Sequence, residues 1–191
     1  MPSIDGRAPL EQIPEEVRTR YRLGALLGEG ACGAVFSGQV PSTGKRVAVK
    51  VLHEHHARHH AERIVREAKF LARIAHPNVV KVYDASVADE QPYLVMELLE
   101  GGALSERLAT RPPALGEALA IAAACVDALA ACHEQGVLHR DLKPSNILFG
   151  ADGAPKLADF GMAFGQDAGG TRLTETGYVV GTPLYMAPEV L

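Results

Sequence analysis

Residues 139 to 146 read His-Arg-Asp-Leu-Lys-Pro-Ser-Asn, and Asp159-Phe160-Gly161 begins thirteen residues after Asn146. A carboxylate, an ammonium and a carboxamide therefore lie within six residues, Asp141 to Asn146, with a second carboxylate one strand pair later. Asp141 can orient a hydroxyl or take its proton. Lys143 offers a point charge to a phosphoryl oxygen. Asn146 and Asp159 offer hard oxygen ligands of the kind Mg²⁺ takes together with nucleotide phosphates. These residue types at this spacing imply phosphoryl transfer from a nucleotide to a hydroxyl.

Such chemistry needs a phosphate-binding element upstream. Gly28-Glu29-Gly30-Ala31-Cys32-Gly33-Ala34-Val35 matches G-x-G-x-x-G-x-V. Glycine clusters alone mostly mark turns. A dinucleotide-binding turn would be followed directly by a helix. Here Ala34 to Val40 continues as an apolar-polar stretch and ends in Pro-Ser-Thr-Gly, which predicts strand, glycine turn, strand. Glycines in that turn let backbone N–H groups approach phosphates without Cβ clashes. A P-loop is excluded: five residues separate Gly38 from Gly44, and Arg46 stands where Ser or Thr should hold the metal. Val47-Ala48-Val49-Lys50-Val51 predicts a third strand, with a lysine seventeen residues past Gly33.

In combination these motifs resemble the protein kinases, and in particular the bacterial eukaryotic-type Ser/Thr kinases. The resemblance implies ATP and Mg²⁺ as the bound species. Gly28, Glu29, Gly30 and Gly33 would cover the phosphates. Lys50 would hold the α and β phosphates and pair with a Glu on the next helix; Glu67 fits best by spacing, ahead of Glu62 and Glu54. Val35, Ala48 and Leu148 would sandwich adenine, Met96 would be the gatekeeper, and the Glu97 carbonyl and Leu99 backbone would meet the base edge. Leu71, Val82, His139 and Phe160 would stack as an apolar column. Core packing explains each of these apolar residues singly; only their joint placement argues for a nucleotide site. Asp141 would be the base, Asn146 and Asp159 the metal ligands. Thr182 would bond Asp141 and Lys143, and with Lys143 would favour Ser/Thr over Tyr as acceptor. Arg140 would dock a phosphate that orders the loop after Asp159. Thr174 and Thr176, with Thr171 nearby, are the candidate autophosphorylation sites, set against a plain solvated loop.

The implied fold is α+β and two-lobed: a small antiparallel-sheet lobe with one helix, then a mainly helical large lobe, incomplete here. The expected organisation is a flexible lead-in at 1–20, the small lobe at 21–97, a hinge at 98–102, and at 103–191 a partial large lobe with catalytic loop and activation segment. The family's later helices would follow Ala187-Pro188-Glu189, so the alternative expectation is a fragment that at most binds nucleotide or a partner chain.

Composition agrees with a folded unit: 191 residues, 47% hydrophobic, net charge −4. Nothing in the charge pattern points to nucleic acid. The first residues lack the apolar core of a signal peptide. Leu115 to Gln135 reads as a helix stopped by Gly136, and Glu117 and Asp127 argue against a membrane span. Cys125 and Cys132 are two helical turns apart, about 10 Å, too far for a disulfide. A reducing, cytoplasmic setting fits; the resemblance implies Ser/Thr protein substrates and leaves self-association possible. His53, His55, His56, His59 and His60 include i,i+4 pairs, but the run lies between the Lys50 strand and the Glu67 helix and reads as a solvated face before a metal site.

Overall fold

Val47, Val49 and Val51 point to one face of their strand; Ala48, Lys50 and Leu52 point to the other. All six are buried, so both faces of this strand must be covered. In the computed structural model, which describes residues 10–30, 32–53, 61–160 and 183–185, that strand is the centre of a five-stranded antiparallel sheet. Its members are β1 (Leu26–Gly30), β2 (Gly33–Gln39), β3 (Arg46–Leu52), β4 (Val82–Ala88) and β5 (Gln91–Glu97), in the order β1-β2-β3-β5-β4.

Helix α1 (Glu15–Arg20) belongs to one face. Ile13, Val17 and Tyr21 join a single buried cluster with Phe36, Val47, Val49, Val51, Tyr93 and Val95. The Tyr21 ring meets Tyr93 edge-on at 5.9 Å, and its hydroxyl donates to Asp84 Oδ2 at 3.1 Å. Burial pushes the Tyr21 hydroxyl above its ordinary pKa, which keeps it a donor. Arg20 pairs with the same carboxylate oxygen at 3.3 Å. Full burial of an aliphatic side chain such as Val17 contributes about 1.5–3 kcal/mol. The flexible lead-in expected at 1–20 is thus replaced, from Leu10 onward, by a 3₁₀ turn and a helix held in the core.

The expected helix of the small lobe is α2 (Ala61–Leu71). Ile64, Ala68 and Leu71, at i, i+4 and i+7, form its buried stripe. It packs on β4 and β5.

The chain divides into two units: Met1–Arg73 with Lys81–Leu98, and Ile74–Val80 with Leu99–Leu191. The division at Leu98 falls inside the expected hinge at 98–102. Residues 74–80, expected in the small lobe, belong to the second unit because their backbone is tied there. Val80 N–H donates to Leu157 O at 2.9 Å, Leu157 N–H to Asn78 O at 2.8 Å, and Asn78 Nδ2 to Pro155 O at 2.7 Å.

The second unit contains α3 (Leu104–Thr110), α4 (Leu115–Glu134) and a hairpin of β6 (Ile147–Phe149) and β7 (Pro155–Leu157). Gly136, at φ 73°, ends α4 in the left-handed conformation that glycine adopts without strain. Arg107 of α3 lies over the Phe149 ring at 3.3 Å and donates to Gly101 O at 3.0 Å. On α4, Cys125, Ala128 and Cys132 are buried, while Leu115, Leu119 and Val126 are exposed. With a mean hydropathy of 1.8, α4 is long and apolar enough to cross a membrane by length and composition, despite Glu117 and Asp127.

Candidate active site

In the first unit, register decides which side chains share a face. Directly opposed residues in an antiparallel pair point the same way. Val35 opposes Lys50, and Ala48 opposes Met96. Val35, Ala48, Lys50 and Met96 therefore lie together on one face of the sheet, the face away from the valine cluster beside α1. Lys50 is only 6% exposed. Glu97 continues β5, and its backbone N–H donates to Lys81 O at 2.9 Å.

The glycine turn joins β1 to β2, and its glycines differ. A Cβ on Gly33 would run into the Val51 carbonyl oxygen and lie 2.9 Å from the Leu52 Cα. Gly33 is there because β2 crosses β3 too closely for any side chain. A Cβ on Gly28 or Gly30 would meet nothing within 4 Å. Their missing side chains leave open space at the turn, as close approach by a ligand requires. Glu29 stands between them, 4.0 Å from His53 Nε2.

Glu67 lies on α2 next to the buried stripe. Its Oε1 accepts a hydrogen bond from Arg63 Nε at 2.9 Å, an i,i+4 pair about one-third exposed. Sequence reasoning did not weigh Arg63; the signal was its spacing from Glu67 on a helix.

In the second unit, side chains of the loop from His139 to Asn146 converge. Asp141 Oδ2 receives Lys143 Nζ at 2.7 Å and Asn146 Nδ2 at 3.1 Å. The same Asn146 nitrogen donates to the Asp141 carbonyl at 2.7 Å. Two acceptors on one side fix the carboxamide's orientation and turn its Oδ1 away from Asp141. Asn146 is 5% exposed. A 3₁₀ turn, Pro144–Asn146, delivers it, and Asn146 N–H donates to Lys143 O at 2.9 Å.

The hairpin places the second carboxylate. Ile147 opposes Leu157, and Ala158 N–H extends the pairing to Asn146 O at 2.9 Å. Asn146 and Asp159 thus emerge at the same end of the hairpin. Asp159 has φ 54° and Arg140 φ 61°, both in the left-handed region that non-glycine residues avoid. Such strain persists where surrounding structure enforces it and clusters at functional sites. Arg140 is exposed.

His139 is the brace beneath them. It is buried, its Nε2–H donates to Ala158 O at 3.0 Å, and its Nδ1 accepts the Asp141 N–H at 3.4 Å. One neutral tautomer satisfies both contacts. Burial holds the imidazole below its ordinary pKa, outweighing the opposing effects of the Ala158 carbonyl, Asp141 and Asp159. The ring packs against Phe160 at a tilt of 42°, centroids 4.6 Å apart. Leu71 and Val82, the other proposed members of the apolar column, are buried in the first unit.

Leu148 sits on β6, paired with Lys156, and Leu99 is half-buried at the start of the second unit. Thr171, Thr174, Thr176 and Thr182, the Ala187-Pro188-Glu189 motif and the histidines from His55 to His60 lie outside the described residues. Among the described residues no cluster of three or more His, Cys, Asp or Glu could hold a metal. The carboxylate and carboxamide oxygens of Asp159 and Asn146 instead fit a hard cation that draws its remaining ligands from phosphate and water.

Residues 21–191 match the protein kinase domain model. This chain belongs to the protein kinase family. The kinase chain is 44% identical over 175 residues to the serine/threonine-protein kinase Pkn1 of Myxococcus xanthus, covering 88% of this chain and 25% of that protein. It is 41% identical to the DNA damage-responsive serine/threonine-protein kinase RqkA of Deinococcus radiodurans, covering 89% and 26%. Among solved structures it resembles the PknI kinase domain of Mycobacterium tuberculosis at 34% identity and a TM-score of 0.65, over 74% of this chain and 59% of that one. The kinase chain therefore spans about a quarter of the length of these curated relatives.

Proposed function

We propose that the chain carries ATP-dependent protein serine/threonine kinase chemistry, transferring the γ-phosphoryl group to Ser/Thr hydroxyls of proteins, its own loop included. The observation that carries this reading is the Asp141 carboxylate, with Oδ2 held by Lys143 and Asn146. Its Oδ1 takes no part in those two bonds and is the oxygen offered to an incoming hydroxyl.

In the forward step the acceptor hydroxyl gives its proton to Asp141, its oxygen bonds to the γ-phosphorus, and the bond to the β-γ bridging oxygen breaks, releasing ADP. Lys143 offsets charge on the transferred group. Asn146 Oδ1 and the Asp159 carboxylate would hold Mg²⁺, which when bound neutralises phosphate oxygens. Lys50, paired with Glu67, and the turn with Gly28, Glu29, Gly30 and Gly33 would hold the triphosphate. Val35, Ala48, Met96, Glu97, Leu99 and Leu148 would receive adenine.

The names of the relatives support Ser/Thr as acceptor. Thr174 and Thr176 are proposed phosphosites, with the exposed Arg140 as docking cation. Three free cysteines fit a reducing, cytoplasmic setting. Incubation with labelled ATP, Mg²⁺ and a generic basic protein, beside Lys50→Ala, tests the proposal. Transfer that vanishes in the variant supports it. ATP binding without transfer would leave a nucleotide-binding module.

A further inference from the structure

The histidine at the end of the lysine strand does work that neither its place in the sequence nor the proposed reaction assigns. His53 follows β3 directly and lies three residues past Lys50. Its backbone N–H donates to Cys32 O at 3.2 Å. Its ring Nε2 lies 3.3 Å from Gly30 O. Because a carbonyl oxygen only accepts, the ring nitrogen carries the proton in this contact. One residue thus grips the carbonyls at both ends of the glycine turn, the last residue of β1 and the residue before β2.

The surroundings make this contact consequential. Gly30 and Gly28 have open space where a Cβ would stand, so neither glycine is itself packed in place. Four of the five β1 residues are exposed. On the β2 side, Gly33 is fixed against the Val51–Leu52 backbone. The His53 ring supplies on the β1 side a tie of the kind that close packing supplies on the β2 side. Glu29 Oε1, 4.0 Å from the same nitrogen, lies too far for a hydrogen bond.

We propose that His53 is a positioning residue for nucleotide: its ring Nε2–H ties Gly30 O, fixes the glycine turn over the end of β3, and so sets the affinity for the triphosphate part of ATP. The proposal rests on the reading of this turn as the phosphate-binding element.

Two variants separate the tie from simple packing. His53→Leu keeps the backbone bond to Cys32 but loses the ring donor. His53→Gln restores an N–H at about the position of Nε2. Calorimetric titration with Mg-ATP and, separately, with adenosine reads the phosphate contribution as a ratio. His53→Leu is expected to weaken Mg-ATP by roughly threefold to tenfold, the range of one net hydrogen bond. Adenosine affinity should stay within about twofold, and His53→Gln should recover most of the Mg-ATP loss. Equal losses for both ligands, or no loss, would overturn the proposal.

Amide hydrogen exchange in the nucleotide-free chain provides an independent reading. His53→Leu should speed exchange across residues 29–33 by roughly the same factor, and His53→Gln should slow it again. If the unaltered chain binds no Mg-ATP, the nucleotide reading fails, and the role in affinity with it. The exchange rates then still decide whether the ring ties the turn, and unchanged rates would remove the tie as well.

Discussion

Asn146 donates one carboxamide nitrogen to two oxygens of Asp141, the backbone carbonyl at 2.7 Å and the carboxylate Oδ2 at 3.1 Å. The residue proposed to ligate the metal therefore also positions the proposed base. Asn146→Asp keeps an oxygen ligand but replaces the donor with a negative charge facing Asp141. Mg-ATP binding should survive within about threefold. Transfer should fall by at least about 100-fold, the low end of what a positioned base contributes. Calorimetry and a phosphotransfer assay on the same preparation check the split; parallel losses in both would show that Asn146 serves the metal alone.

The two kinds of glycine in the β1–β2 turn should fail differently. Gly33→Ala drives a Cβ into the Val51 carbonyl and should destabilise the first unit by about 1–3 kcal/mol, the usual cost of overpacking. Gly30→Ala meets open space. It should leave the melting temperature nearly unchanged while weakening Mg-ATP. A thermal melt and an ATP titration on both variants test this, and a large loss of stability in Gly30→Ala would contradict the assignment.

His139 makes stability depend on pH. Its folded pKa lies below the ordinary 6.5, so below pH 6.5 the unfolded chain binds a proton that the folded chain resists. The contribution is complete above pH 6.5 and is lost as pH falls from there through the folded value. Urea denaturation at pH 7.5, 6.5 and 5.5 should show this decline. His139→Phe should be less stable throughout but should lack that part of the slope. Identical slopes in both proteins would exclude His139 as the cause.

Glu67 is bonded to Arg63 and is the proposed partner of Lys50. The Arg63 bond is partly exposed, so its loss should cost only about 0.3–0.5 kcal/mol of stability. Arg63→Ala leaves Glu67 Oε1 to Lys50, and Mg-ATP affinity should rise by up to about threefold. A fall in affinity would mean that Arg63 holds Glu67 in its working position.

The convergence of the proposed site residues that lie close in the chain was legible in the sequence. Asp141, Lys143 and Asn146 lie within one short loop, where geometry is local. Lys50 on an apolar strand fixed the register, since alternation alone places Ala48 on its face. The parts that depend on contacts between distant segments were not legible. His53 and Gly30 are 23 residues apart, and nothing in a histidine-rich run says which ring turns inward. Helix α1 was read as a lead-in because prolines and charges surround it. Its signal was Ile13, Val17 and Tyr21 at i, i+4 and i+8. A six-residue helix is too short to be stable alone, and only the sheet face it covers gives it a reason to form.

The most direct test of the central assignment is the transfer rate of Asp141→Asn set beside its affinity for Mg-ATP. The substitution keeps the shape of the side chain and removes the base. Transfer to a serine- or threonine-containing acceptor should fall by about 100- to 10,000-fold, while the dissociation constant for Mg-ATP stays within about twofold. Undiminished transfer would show that Asp141 is not the base and would contradict the account.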